Sequence, residues 1–143
     1  MRDIKFRAWD KRTKRLYQVQ ALQFYGTNNT VDACWTNGVD FDGESTLGEP
    51  ELNNLHNLEL MQYTGKKDIN DVEIYEGDIV HDDEVIYLVG FGVFTDDNDF
   101  QEPTQGQTGF YIVDIHTDET FPFYSMRYRV IGNVYENPEL LED

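Results

Sequence analysis

The pattern of apolar and polar positions predicts short strands rather than long helices. Apolar side chains occupy every second position from Ile4 to Ala8, which is the period-two pattern of a strand. The polar run DKRTKR follows and predicts a turn, and residues 16–23 predict the returning strand. The chain therefore opens with a predicted β-hairpin whose tip is basic.

Short apolar runs continue to the end of the chain, separated by turn-forming residues. Gly90 and Gly92 interrupt one of them and predict a bulge or a sharp bend. Pro50 and leucines at three-residue spacing in ELNNLHNLEL predict one short helix, and PELLED predicts a helical turn. Strands are predicted at residues 60–63, 74–80, 85–89, 93–95, 110–116, 121–124 and 128–134.

These elements predict a mainly β fold, with a β-rich α+β fold as the alternative. The length of 143 residues is typical of one domain. We expect residues 1–59 to hold the N-terminal hairpin and a loop-rich part, and residues 60–143 to form a small SH3-like barrel. EIYEGDIV resembles the first turn and strand of such barrels, and Gly77 would allow the sharp bend.

Three blocks of the sequence stand out: MRDIKFRAWD at the start, LMQYTGKKDINDVEIYEGDIV at residues 60–80 and VIGNVYENPELLE at residues 130–142. Together they resemble the signature of the YopX family, whose members are small proteins of bacteriophages and prophages. One departure is Asn70-Asp71, where the family often has Asn-Gly, because Asp tolerates positive φ less well than Gly. The resemblance implies a lineage and a fold, but it supplies no assigned chemistry.

Features tied to cellular compartment point to a cytoplasmic protein. Cys34 is the one cysteine, so an internal disulfide is excluded. The charged start lacks the apolar core of a secretory signal, and residues 85–94, the longest nearly apolar run, are too short to span a bilayer. With the family resemblance, we expect the cytoplasm of an infected or lysogenic bacterium and no membrane partner.

Charge is divided sharply along the chain. Residues 1–15 carry seven bases and two acids, whereas the remaining 128 residues carry four bases and 26 acids, a net charge of −22. Such a division attracts basic surfaces and repels nucleic acid. A purely solubilising role for the acids is the alternative.

Catalytic and metal-binding patterns are not recognisable in the sequence. His56, His81 and His116 stand far apart, so no metal-binding spacing exists among them, and TDDNDFQE fails the spacing of a calcium loop. Neither serine lies in a nucleophile elbow, and Gly90-x-Gly92 lacks the third glycine of a phosphate loop. We predict no enzyme and no catalytic, cofactor or metal site; a hydrolase built on His81 or His116 with a nearby Asp is the weaker hypothesis.

The basic hairpin provides the candidate interaction residues. Its bases suit either the acidic body of a second copy or nucleic-acid phosphates, and Trp9 or Tyr17 would stack on a base. We favour a homo-oligomer, because the net charge opposes a polyanion. The candidate residues are Lys5, Arg7, Trp9, Lys11, Arg12, Lys14 and Arg15.

The sequence thus predicts a phage-encoded acidic protein that acts as a non-enzymatic protein-interaction module with a host or phage partner. One alternative is RNA or single-stranded DNA binding through the basic hairpin. Another is a DNA mimic that inhibits a host protein, which requires acids in rows on one face. Turn and packing chemistry is the default interpretation of the three blocks.

Overall fold

The computed structural model describes residues 3–25, 30–40, 51–53, 58–96, 106–123 and 127–142. These residues form β-strands and one short 3-10 helix, so the predicted mainly β fold is confirmed. None of the helices in the described part is long and apolar enough to cross a membrane. The elements are β1 (Phe6–Asp10), β2 (Arg15–Tyr25), β3 (Thr30–Asp40), β4 (Glu51–Asn53), β5 (Leu58–Lys67), β6 (Glu73–Tyr75), β7 (Asp78–His81), β8 (Ile86–Phe94), β9 (Gln107–Asp114), β10 (Thr120–Pro122), β11 (Arg129–Asn133) and the 3-10 helix (Pro138–Leu141).

The chain divides into two compact units near the middle of β5, at Gln62 and Tyr63. The first unit is an antiparallel sheet in the order β4-β3-β2-β1-β5. The predicted opening hairpin is present as β1 and β2, with Ala8 opposite Tyr17. Ala8 and Leu58 are buried at the centre of this unit, and Val19, Leu22 and Leu60 pack against them.

The second unit contains the end of β5, which pairs with β6, and a five-stranded antiparallel sheet in the order β10-β9-β8-β7-β11. Strands β7 to β10 follow one another as a meander, and β11 returns to pair with the other side of β7. The alternating apolar positions of these strands produce one core. It consists of Ile74, Val80, Val89, Ile112 and Phe123.

Gly90 and Gly92 lie in the β8–β9 hairpin, whose register runs without a shift from Tyr87 to Phe94, so the predicted bulge is absent from this pairing. Gly92 lies opposite Gly109, with φ angles of 148° and 157° that favour glycine. A Cβ on Gly90 would come within 2.5 Å of the Tyr111 ring, so this ring occupies the space that a side chain would fill. The predicted runs 85–89 and 93–95 both fall on one strand, β8.

The predicted helix after Pro50 is absent from the described part of ELNNLHNLEL, and residues 54–57 lie outside the described residues. Residues 51–53 form β4, which pairs with β3, and Leu58 already belongs to β5. Strand pairing overrides the weak signal of leucines at three-residue spacing. The helical turn in PELLED, in contrast, is confirmed as the 3-10 helix.

The described strands do not pair into a closed barrel. Among the described residues, β10 and β11 are the two ends of the five-stranded sheet and do not pair with each other. The sheet is therefore open. The single domain over residues 1–143, with its parts 1–59 and 60–143, stays a prediction.

Candidate functional site

The basic turn, residues 11–15, is built around the carboxylate of Asp10. Asp10 is 2% exposed, and its Oδ1 accepts hydrogen bonds from the backbone N–H of Arg12 at 2.8 Å and of Thr13 at 3.4 Å. Its Oδ2 lies 3.3 Å from the Arg12 guanidinium. Lys14 closes the turn with φ of 60° and donates its N–H to the Asp10 carbonyl at 2.8 Å. Asp10 thus orders the backbone that presents the bases.

The seven candidate interaction residues do not share one surface. Arg7 and Trp9 are 4% and 7% exposed, and an Arg7 guanidinium nitrogen lies 3.5 Å from the Met61 sulfur. Trp9 therefore offers no open ring face for base stacking. Lys11 pairs with Glu59 at 2.8 Å. The exposed candidates are Lys5, Lys11, Arg12, Lys14 and Arg15.

In the second unit, Asp68 joins two of the family-like blocks. Its Oδ1 accepts the N–H groups of Asn70 and Val72 at 2.8 and 2.9 Å, which forms the turn before β6. Its Oδ2 accepts the N–H of Val130 in β11 at 2.9 Å. One carboxylate therefore shapes a turn and satisfies a backbone donor of a strand 62 residues away. Asp71 adopts φ of 67° in this turn, so the departure from Asn-Gly is tolerated.

EIYEGDIV forms a second turn of the same kind. Asp78 is 1% exposed, and its Oδ2 accepts the N–H of Tyr75 at 2.8 Å. Gly77 has φ of 85°, which confirms the predicted sharp bend. The Gly77 carbonyl also accepts the N–H of Val134 at 2.8 Å. This turn therefore binds the third block as well.

The third block closes on itself through two asparagines. The Oδ1 of buried Asn133 accepts the N–H groups of Tyr135 and Glu136 at 3.0 and 2.8 Å. Asn137 Oδ1 accepts the N–H of Asn133 at 3.2 Å and leaves no room for a Cβ at Gly132. In the described chain these blocks supply turns and contacts between turns, which supports the packing interpretation.

Exposed acids gather at one end of the five-stranded sheet. The register places His81 opposite Ile86 and Tyr87 opposite Asp114, so the β7–β8 and β9–β10 turns lie at the same end. Arg129, opposite His81, contacts the Asp83 carboxylate at this end. We call the exposed acids of these two turns the acidic end; they are Asp83, Glu84, Asp118 and Glu119.

The histidines do not form a catalytic group in the described residues. His81 lies beside an open depression lined by Val85, Ile86 and Ile131, and its Nδ1 accepts the N–H of Asp83 at 3.2 Å. His116 is exposed on the β9–β10 turn, and His56 lies outside the described residues. No group of three metal-ligating side chains occurs in the part of the chain that the structure describes.

Asp82 organises the β7–β8 turn and perturbs two tyrosines. Burial acts to raise the pKa of Asp82, but hydrogen bonds from the N–H groups of Val85 and Glu84 and from the Tyr87 hydroxyl lower it below its usual value. Burial, followed by the charge of Asp82, raises the pKa of Tyr87 to about 12. Burial and Asp82 also raise the pKa of Tyr128, whose ring meets Tyr87 edge-on at 5.8 Å.

We expect Tyr87→Phe to remove a tyrosine ionisation near pH 12. Because the folded pKa of Tyr87 lies above the ordinary value of 10, its contribution to stability is complete below pH 10 and is lost as pH rises towards 12. Absorbance at 295 nm after a rapid pH jump measures the ionisation. Tyr17→Phe, in the other unit, is the control and should leave the ionisation near pH 12 in place. If that ionisation also persisted in Tyr87→Phe, the assignment to Tyr87 would be contradicted.

The carboxylates that order the turns are the functional residues that sequence reasoning missed. Asp10, Asp68, Asp82 and Asp114 each accept an N–H from a residue two positions ahead. A signal was present, since Asp is a preferred first residue of a turn. With 28 acids in the chain, that signal does not distinguish a turn carboxylate from a solvated one.

Comparison with known proteins identifies a family and related solved structures. A family model described as YopX protein matches residues 5–142. The crystal structure of protein EF1440 from Enterococcus faecalis is similar, with 27% sequence identity and a TM-score of 0.51 over 99% of this chain and 100% of that chain. No curated protein matches the chain.

Proposed function

The chain belongs to the YopX family, and from that membership and its charge layout we propose a non-enzymatic, phage-encoded protein-interaction module. It binds a host or phage protein in the cytoplasm of an infected or lysogenic bacterium. The observation that carries the proposal is the acidic end, where the register gathers Asp83, Glu84, Asp118 and Glu119 on two neighbouring turns. A basic partner is the complementary surface.

Some carboxylates order turns through backbone hydrogen bonds, and this limits which acids are available to a partner. Asp10, Asp68, Asp78, Asp82 and Asp114 already accept backbone hydrogen bonds, so part of the negative charge is committed to the fold. The acids of the acidic end are exposed on turns that these carboxylates hold in shape. Partner binding is therefore assigned to the exposed acids alone.

Charge reversal at the acidic end tests this proposal. The variant Glu84→Lys/Glu119→Lys should lose a basic partner captured from bacterial lysate by the wild type, and the wild-type complex should weaken as salt is raised. Glu139→Lys/Glu142→Lys carries the same charge change on exposed residues at the 3-10 helix and should retain the partner. Failure to recover any basic partner at low and moderate salt would count against the proposal, as would equal loss in both variants.

Nucleic-acid binding through the basic turn is the second candidate. Exposed Lys11, Arg12, Lys14 and Arg15 on one ordered turn favour it, and the burial of Trp9 weighs against base stacking. Under this alternative, mobility shifts of RNA or single-stranded DNA at low salt should vanish in the quadruple alanine variant of these four bases. Absence of any shift at low salt would exclude it, because phosphate binding is strongest there.

Three finer expectations remain proposals. Mimicry of DNA requires carboxylates in rows on one face. The acidic end provides acids on two turns, which lie two strand spacings, or about 10 Å, apart. The SH3-like arrangement is supported by the meander β7 to β10 and the return of β11 to β7. Homo-oligomer formation, with the basic turn on an acidic body, is part of the same proposal.

A further inference from the structure

The β7–β8 turn presents three consecutive backbone N–H groups, and the side chains that precede them accept all three. Asp82 Oδ1 accepts the N–H groups of Glu84 and Val85 at 3.1 and 2.9 Å. His81 Nδ1 accepts the N–H of Asp83 at 3.2 Å. One carboxylate and one imidazole therefore hold the turn, and these two kinds of acceptor take up protons in different pH ranges.

Only the imidazole acceptor changes its charge in mildly acidic solution. Burial acts to raise the pKa of Asp82, but the hydrogen bonds that it accepts lower it below its usual value, so this carboxylate stays ionised. Imidazole side chains take up a proton between about pH 8 and pH 5. A neutral imidazole has one nitrogen that accepts, whereas both nitrogens of a protonated ring donate. Protonation of His81 therefore turns its Nδ1 into a donor and breaks its hydrogen bond with the N–H of Asp83.

The charged groups that face His81 lie in the same turn and in β11. Its Nδ1 is 4.0 Å from the Asp83 carboxylate, and Arg129, opposite His81 in the register of β7 and β11, contacts that same carboxylate. Glu84 lines the depression beside the imidazole, and Ile86 lies opposite it in β8. The side chain of His81 is 26% exposed, so water reaches it. A protonated ring therefore has a carboxylate partner, for which it competes with Arg129.

We propose that His81 is a pH-sensitive acceptor that controls the conformation of the β7–β8 turn and the charge of the acidic end. The neutral ring accepts the N–H of Asp83 and leaves the acids of the turn at full negative charge. The protonated ring releases that N–H, donates to the Asp83 carboxylate and adds a positive charge beside Glu84. The change in the turn stands by itself. Its consequence for a basic partner, weaker binding at lower pH, rests on the function proposed above.

Amide resonances of the turn test the change in conformation in the full chain without any partner. Between about pH 8 and pH 5, the amide of Asp83 should titrate with the same midpoint as the ring protons of His81. The amides of Glu84 and Val85, whose acceptor is a carboxylate, should move much less. Movement of all three amides by equal amounts would overturn the proposal, as would an Asp83 amide that does not titrate in this range.

Asparagine variants of the two described histidines assign the titration to one ring. His81→Asn keeps an acceptor for the N–H of Asp83 but takes up no proton, so the Asp83 amide should no longer titrate. His116→Asn is the matched control, because His116 is exposed on the other turn of the same end, and the Asp83 titration should persist in it. A titration of the Asp83 amide that survived His81→Asn would contradict the role of His81.

An oligolysine peptide tests the consequence for binding, because its side chains stay charged throughout this pH range. In the His116→Asn protein, affinity for the peptide at low salt should fall as the pH is lowered, and adding His81→Asn should make this fall about threefold smaller. An equal fall in both proteins would overturn the link between His81 and binding. Absence of peptide binding at every pH would count against the proposed function, while the Asp83 amide would still decide whether the turn responds to His81.

Discussion

Replacing Asp68 with alanine is expected to lower the free energy of unfolding by about 3 kcal/mol. The side chain accepts three backbone hydrogen bonds, from Asn70, Val72 and Val130. Its loss leaves the turn before β6 without its organising acceptor and leaves a donor of β11 without its partner. Because the turn covers the edge of β11, the variant should also aggregate more readily on heating.

Asparagine variants separate the charge of Asp68 from its geometry. In Asp68→Asn one oxygen can still accept the two turn bonds, but the amide nitrogen then faces the N–H of Val130, so we expect about half the loss. Asp71→Asn removes the same charge three residues away, where φ of 67° suits asparagine, and should change stability by less than about 0.5 kcal/mol. Urea unfolding measures both; equal effects of the two variants would contradict the role of Asp68.

The sequence located the turns but did not identify what holds them. DKRTKR was predicted as the hairpin turn, yet the carboxylate of Asp10, the acceptor for Arg12 and Thr13, looks like any other acid in the sequence. A local sequence pattern predicts where the chain reverses direction. It does not reveal which side chain is removed from water there, because burial of Asp10 depends on the folded surroundings.

Burial also explains why the predicted interaction surface is smaller than the set of candidates. Alternation along β1 predicts a strand with one exposed face, but Arg7, Ala8, Trp9 and Asp10 are all buried. Side chains alternate between the two faces of a strand, so the burial of consecutive residues in β1 means that both faces are covered there. What covers each face is decided by the fold, so the local sequence does not distinguish Arg7 and Trp9 from the exposed candidates.

Strand register is also set by the fold rather than by the local sequence, and it accounts for the acidic end. Nothing in the local sequence relates the acids at residues 83 and 84 to those at 118 and 119, which lie more than 30 residues apart. They come together because β8 and β9 pair with Tyr87 opposite Asp114, so the turns before β8 and after β9 share one end of the sheet. The count of charged residues predicts an acidic body. The gathering of exposed acids on two neighbouring turns follows only from the pairing of β8 with β9.

Asp78→Ala is expected to cost about 3 kcal/mol, because it removes an acceptor in a site that water does not reach. Asp78 is 1% exposed and holds the N–H of Tyr75, while the adjacent Gly77 binds both Val89 and Val134 through its backbone. Loss of the carboxylate should therefore loosen β6, β8 and the segment after β11 together. Hydrogen exchange at Gly77 and Val134 should quicken along with that at Tyr75.

Glu84→Ala is the matched control for Asp78→Ala. It deletes an acid from another turn of the same unit, but Glu84 is exposed, so its removal should change stability by less than about 0.5 kcal/mol. The two variants lose the same charge, and any difference between them measures the buried hydrogen bonding of Asp78 rather than relief of the net charge of −17. If Asp78→Ala were as stable as Glu84→Ala, the turn in EIYEGDIV would owe its shape to Gly77 alone.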